Sequence, residues 1–302
     1  MRSGGWKPFW AALFASLLVL VPLVGGTVLL SRQQLSTQLR QAARSESGVP
    51  IQLPKTTDQL TVLLCVSGEQ PGFVLAYLNA SQNCVHLLSV PAVLTVPFAE
   101  EETSLARCYA AAGPARCREA LAQVLALPEG TRYLAFSPDV LERIASRYGP
   151  VRVGFSGAMT AGELARYGRD SRVQGLSAAE AHGFLTGMDA DAVVPQAHRA
   201  AARGAVWDAF FRQNLDLLPG AMPQALRSVS ASLLTDLTAL DLDTLDRTLE
   251  FLANNEAQIE TQVLPGDEQA GRYTLNEESL AAVQSFFNVS PTDGQASSAS
   301  EP

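Results

Sequence analysis

Residues 70–99 read QPGFVLAYLNASQNCVHLLSVPAVLTVPFA and contain no Asp, Glu, Lys or Arg. Two apolar runs, FVLAYLNA and CVHLLSV, flank Ser81, Gln82 and Asn83. A short polar break between such runs is a hairpin signal. Just upstream, LTVLLCV (60–66) is a continuous apolar run, as expected of a strand buried on both faces. The three runs predict the middle of a β-sheet, and the segments that follow decide what covers it. Helical patterns over 104–112 and 115–127 are interrupted by Gly113-Pro114. A short strand is expected over 133–136. A helix over 138–148 places Val140, Leu141, Ile144 and Ala145 on one face and stops at Gly149-Pro150. VRVGF (151–155) starts another strand. Ser177, with Glu180 three residues on, predicts a capping box opening a helix over 177–185. Longer amphipathic patterns cover 196–215, 222–234 and 243–254, with Asp241 and Asp243 read as N-caps. Strands over 259–264 and 272–275 and a helix over 277–287 complete the pattern. Strands alternating with helices predict an α/β fold: a layered domain with a central mixed β-sheet flanked by helices.

Working outward, the chain has 302 residues and a net charge of −8. That acidic balance argues against nucleic acid as a partner, which calls for a basic surface. Residues 8–30 form one uncharged apolar run, long enough for a helix to cross a bilayer. Trp6 and Trp10 stand where interfacial aromatics belong. The run exceeds the apolar core of a cleaved signal peptide, so a retained transmembrane anchor is the expectation. Arg2 and Lys7 precede it and Arg32, Arg40 and Arg44 follow it, which leaves its orientation open. Residues 31–57 read as a juxtamembrane linker, 58–287 as the folded domain, and 288–302 as a disordered Ser/Thr/Gly/Pro tail. The four cysteines form no CxxC, so no zinc site is expected. Cys108 and Cys117 flank the Gly-Pro turn, where a disulfide is possible; Cys65 and Cys84 read as small buried hydrophobes. No Walker motif, GxGxxG or GxSxG occurs.

The order of several segments resembles the LytR–CpsA–Psr (LCP) family, known as cell-envelope-related transcriptional attenuators. LLSVP (87–91) is similar to the family's LLSIP, LARCYAAAGP (105–114) to LNxAYxxGGP, and YGPVRV (148–153) to LGGVxV. LSAAEAHGFL (176–185) is similar to LNGxxALxYV, and VLPG (263–266) to the closing TLPG. The resemblance implies a cell-membrane protein with residues 1–7 cytoplasmic, one anchor, and an extracytoplasmic domain. It also implies transfer of glycopolymers from a polyprenyl-pyrophosphate carrier to the bacterial cell wall. That chemistry needs arginines on the pyrophosphate and acids to hold Mg²⁺ or accept a proton.

Residue by residue, most of those charges are missing. The family's first-strand Asp falls on Gly68, its Asp-Thr on Pro71 and Gly72, and its Arg-Asp on Ala92 and Val93. Its Arg-x-Arg falls on Thr186 and Met188. In its final Arg-x-x-Arg, Arg199 matches the first position and Ala202 the second, with Arg203 one residue further on. An Arg-to-Ala change removes five donors and a fixed positive charge. The expectation is therefore a degenerate member, a non-catalytic binding or regulatory paralogue. Arg199 and Arg203 remain as candidates for a phosphate-binding remnant, against the alternative of a solvated basic face. Asp189 and Asp191 are weak metal candidates, with Mg²⁺ required only if transferase activity persists. His86 and His182 read as structural, and His198 has no obvious acid partner. Two kinds of partner are expected: a polyprenyl lipid or lipid-linked glycan, or an active LCP enzyme or wall-assembly protein for which this chain is a scaffold.

Overall fold

The computed structural model describes residues 55, 58–170, 172–188 and 193–287. The expected anchor, nearly all of the linker, the tail, and both Asp189 and Asp191 lie outside the described residues. Among the described residues, no helix is long and apolar enough to cross a membrane.

Six strands form the central sheet, in the order β10-β3-β2-β1-β6-β9. Strand β1 (Gln59–Val66) pairs antiparallel with β2 (Gly72–Asn79), which pairs antiparallel with β3 (Cys84–Val90). On the outer sides, β6 (Arg132–Phe136) runs parallel to β1 and β10 (Gln258–Val263) parallel to β3. The short β9 (Leu234–Thr235) pairs antiparallel with β6, so the sheet is mixed. The hairpin expected at 81–83 is present. Asn83 turns with a positive φ of 52°, and the Asn79 side-chain carbonyl accepts from Ser81 Oγ at 2.7 Å and Gln82 N at 3.1 Å.

Side chains alternate between the two faces, and both faces are covered. Leu63, Cys65, Phe73, Leu75 and Leu88 pack beneath α1 (Leu105–Leu125) and the closing α8 (Glu277–Phe287). Val62, Leu64, Val74, Ala76 and Leu87 face α2 (Pro138–Ala145), α4 (Ala178–Gly187), α5 (Gln196–Asn214), α6 (Ala221–Ser228) and α7 (Ala239–Asn254). A central strand covered on both faces has no solvated side for a charge. Every residue of β2 is buried, which is the physical cause of the uncharged stretch.

Helix α1 bends at Gly113 (φ 75°, ψ −173°), where the sequence places its Gly-Pro break. The expected cap of α4 is present, with Ser177 and Glu180 exchanging hydrogen bonds. Other boundaries move. The helix expected over 222–234 ends at Ser228, because the chain turns and enters β9. Helix α7 is capped by Thr238, whose hydroxyl accepts from Asp241 N at 3.2 Å; Asp241 is the third residue of that capping box and Asp243 lies inside the helix. Short elements escaped the sequence pattern: the hairpin β4 (Thr95–Phe98) and β5 (Glu101–Ser104), α3 (Ala161–Arg166), β8 (Gln174–Leu176) beside β7 (Val151–Val153), and β11 (Asp267–Gln269), which pairs with β12 (Arg272–Thr274).

Candidate functional site

The carboxyl end of β1 is where the sheet's connections diverge, since β1 lies between antiparallel β2 and parallel β6. Ligands of open α/β sheets bind outside such a point. The family-matched positions gather there from β1, β2, β3, α4 and α5, but on one side they fill the space. A Cβ added at Gly68 would lie 2.5 Å from Thr186 Cβ. The positions where relatives of the motif carry an acid and an arginine are thus a glycine and a threonine in direct contact. Gly72 is similarly close: its Cβ would come within 2.9 Å of the Leu185 carbonyl oxygen and 3.6 Å of Arg203 Cδ. Thr186 Oγ1 donates to His182 O at 2.9 Å, and the His182 imidazole Nε2 donates to Ser67 O at 2.9 Å. These bonds fix α4 onto the end of β1.

Arg199 and Arg203 do not form a solvated basic face. Each is 2% exposed, and Arg199 Nη1 donates to Met188 O at 3.4 Å. Gly204 brings α5 against β3, where an added Cβ would run into Ser89 Oγ. Ala92, Met188 and Ala202 are buried apolar packing, while Val93 is half-buried. His198 has an acid partner after all. Its Nδ1 lies 2.9 Å from Glu163 Oε1, on α3, an element the sequence pattern did not reveal. The Thr160 backbone N–H, and then His198, hold the Glu163 carboxyl below the usual carboxylate range.

No disulfide joins Cys108 and Cys117; both are buried free thiols, and Cys117 Sγ donates to Leu105 O at 3.6 Å. Burial pushes the Cys65 and Cys117 thiols far up and Cys84 up to about 11, so none is poised as a thiolate nucleophile. His86 Nδ1 donates to Phe286 O at 2.8 Å, tying β3 to α8.

On its other side the β1–β2 loop opens into a cleft of about 730 Å³. Its walls are Ser67, Gly68, Glu69 and Pro71 from the loop, Arg107 and Tyr109 from the first turns of α1, Glu102 from the β4–β5 hairpin, and Arg272 from β12. Tyr109 Oη and Ser67 Oγ share a 2.6 Å hydrogen bond at the floor. Tyr109 sits in the LARCYAAAGP segment and could have been found from it. The β12 arginine is brought in by a hairpin far along the chain, and no local pattern announces it.

Magnesium needs several oxygen ligands converging on one point. The matched acid positions are Gly68, Pro71 and Val93, and among the described residues no group of three metal-ligating side chains comes together. Among the described residues, none of the side chains at these positions fits the ion; Asp189 and Asp191 lie outside them.

Against the sheet's other face the apolar layer holds two voids of about 60 Å³ each, one beneath α6 and α7, the other between α2, α4 and α5. Phe136, Trp207, Phe210 and Met222 border both.

This combination of mixed sheet, flanking helices and switch-point crevice is the LytR–CpsA–Psr fold. The domain is similar to a LytR-Csp2A-Psr enzyme from Actinomyces oris, with TM-score 0.57 and 20% identity over 79% of this chain and 94% of that one. It is similar to TagT bound to LIIa-WTA, with TM-score 0.58 and 17% identity over 82% and 98%. A transcription regulator structure from Eubacterium siraeum gives TM-score 0.64 and 15% identity over 80% and 96%. No sequence-family profile and no curated protein matches the chain.

Proposed function

We propose that this chain is a single-pass membrane protein of the bacterial cell envelope whose LCP-fold domain binds or regulates and does not transfer glycopolymers. The observation that carries the reading is the contact of Gly68 with Thr186, which occupies the place of an acid and an arginine. Each preorganised charge contact is worth about 3 kcal/mol of transition-state stabilisation in other enzymes. Loss of several takes the reaction below detection, non-additivity included. Restoring one charge alone meets a filled space.

Between the two non-catalytic roles, the geometry favours recognition through the polar cleft and partnership with an active LCP enzyme or wall-assembly protein. Lipid storage is supported less well. A void of about 60 Å³ has room for roughly two water-sized groups. A polyprenyl chain would need Trp207 and Phe210 to part. The family's transferase activity, carried by Arg199 and Arg203, would need both buried guanidiniums to reach substrate.

The test is a transfer assay with the full-length chain, a polyprenyl-pyrophosphate-linked donor, a wall acceptor and Mg²⁺. No turnover is expected. Turnover at a rate comparable to the Actinomyces oris type of enzyme, abolished by Arg199→Ala, would replace this reading with catalysis.

A further inference from the structure

The cleft beside the β1–β2 loop is lined by two guanidiniums, Arg107 and Arg272, and two carboxylates, Glu69 and Glu102. They come from four different elements, and all four side chains are exposed. Elsewhere on the described surface some charges pair, as in Arg116 with Glu119, Arg172 with Asp170, Arg212 with Asp208, and Arg227 with Asp243, while others, such as Glu129, Glu142, Arg143 and Glu250, form no ion pair among the described residues. In the cleft, with both signs present, the described residues form no ion pair and no side-chain hydrogen bond through any of the four charged groups. Opposite charges held apart around one cavity suit a ligand that carries both signs. A uniformly anionic ligand would meet the two carboxylates, and a cation would meet the two arginines. A volume of about 730 Å³ is in the range of ligand pockets and exceeds what a single amino acid fills.

We infer that this cleft is a binding site for a zwitterionic peptide, whose carboxylate is taken by Arg107 and Arg272 and whose ammonium is taken by Glu69 and Glu102. Guanidinium–carboxylate hydrogen bonds are charge-assisted and among the stronger polar contacts. The Ser67–Tyr109 hydroxyl pair at the floor offers donors and acceptors for the peptide groups between the two charged ends. None of the four residues matches a family charge position, but the cleft also holds the matched positions Gly68, Pro71 and Val93, so the peptide titration, and not a transfer assay, separates this inference from transferase activity.

The experiment is a calorimetric titration of the full-length chain in detergent with trialanine. The peptide is used free, N-acetylated, C-amidated and blocked at both ends, with alanine and N-acetylglucosamine alongside. Free trialanine should bind saturably and more tightly than alanine. Each blocked end should weaken it about tenfold, the loss expected for one charge-assisted contact set. Arg107→Ala with Arg272→Ala should weaken free trialanine and leave the C-amide form unaffected. Glu69→Gln with Glu102→Gln should do the same toward the N-acetyl form. These exposed substitutions leave the fold intact, which circular dichroism checks. Equal binding of free and doubly blocked peptide, tighter binding of N-acetylglucosamine, or no saturable binding of trialanine would each overturn the inference.

Discussion

The two sides of the β1–β2 loop differ in how they are filled. Toward α4 and α5, glycines meet neighbouring side chains and backbone with no space between, and two arginines are enclosed. Toward α1 and the β4–β5 and β11–β12 hairpins, the same loop faces an open cleft lined by charges that make no pairs with one another. The crevice at the switch point has a filled half and an open half. The lesson is that one loop can be packed tight on one side and leave a charged cleft on the other. The chemistry of one half is no guide to the other.

Three substitutions sharpen that contrast. The largest effect is expected on the filled side, where Trp207 stands between the two apolar voids with its ring 6.0 Å from Phe136 and 6.3 Å from Phe210. Trp207→Ala joins the voids and should cost about 3–5 kcal/mol in a urea unfolding titration. The enlarged cavity should then admit small apolar ligands, detected by a rise in midpoint with benzene present. Next, Gly72→Ala pushes a methyl group to 2.9 Å from the Leu185 carbonyl, a backbone atom that yields only by moving α4. Overpacking of that kind should cost about 1–3 kcal/mol. On the open side, Arg107→Ala removes an exposed side chain that makes no ion pair among the described residues, and should change stability by less than about 0.5 kcal/mol. Equal effects at Gly72 and Arg107 would erase the distinction between the halves.

Much of the fold was legible in the sequence because its strong elements obey local rules. The doubly buried strands β1 to β3 announce themselves by continuous apolar runs, the α4 capping box by its Ser and Glu, and the α1 bend by Gly113-Pro114. The weak elements depend on distant partners. Strand β9 is two residues held only by β6, and the β4–β5 hairpin carries Pro97 and two glutamates that look like loop. The site was legible as a set of positions and not as a geometry. Alignment located Gly68 and Thr186 far apart in the chain, but their contact requires the packing of α4 on β1. The alternative of a solvated basic face for Arg199 and Arg203 does not hold, since both are buried where α5 packs on the sheet, a placement that charge alone does not reveal. The uncharged stretch 70–99 carries two messages at once. Most of it is uncharged because β2 and β3 are covered on both faces, and only Pro71, Gly72, Ala92 and Val93 stand at positions matched to the family's Asp-Thr and Arg-Asp.

The central claim, that packing fills the space between the β1–β2 loop and α4, is tested most directly by a double-mutant cycle between Gly68 and Thr186. Gly68→Ala in the otherwise native chain should cost about 1–3 kcal/mol in urea unfolding, because its new methyl group meets Thr186 Cβ. In a chain that already carries Thr186→Gly, the same substitution should cost far less, giving a coupling energy above about 0.5 kcal/mol. A Gly68→Ala cost that is the same in both backgrounds would mean that the two residues do not fill that space, and would contradict the account.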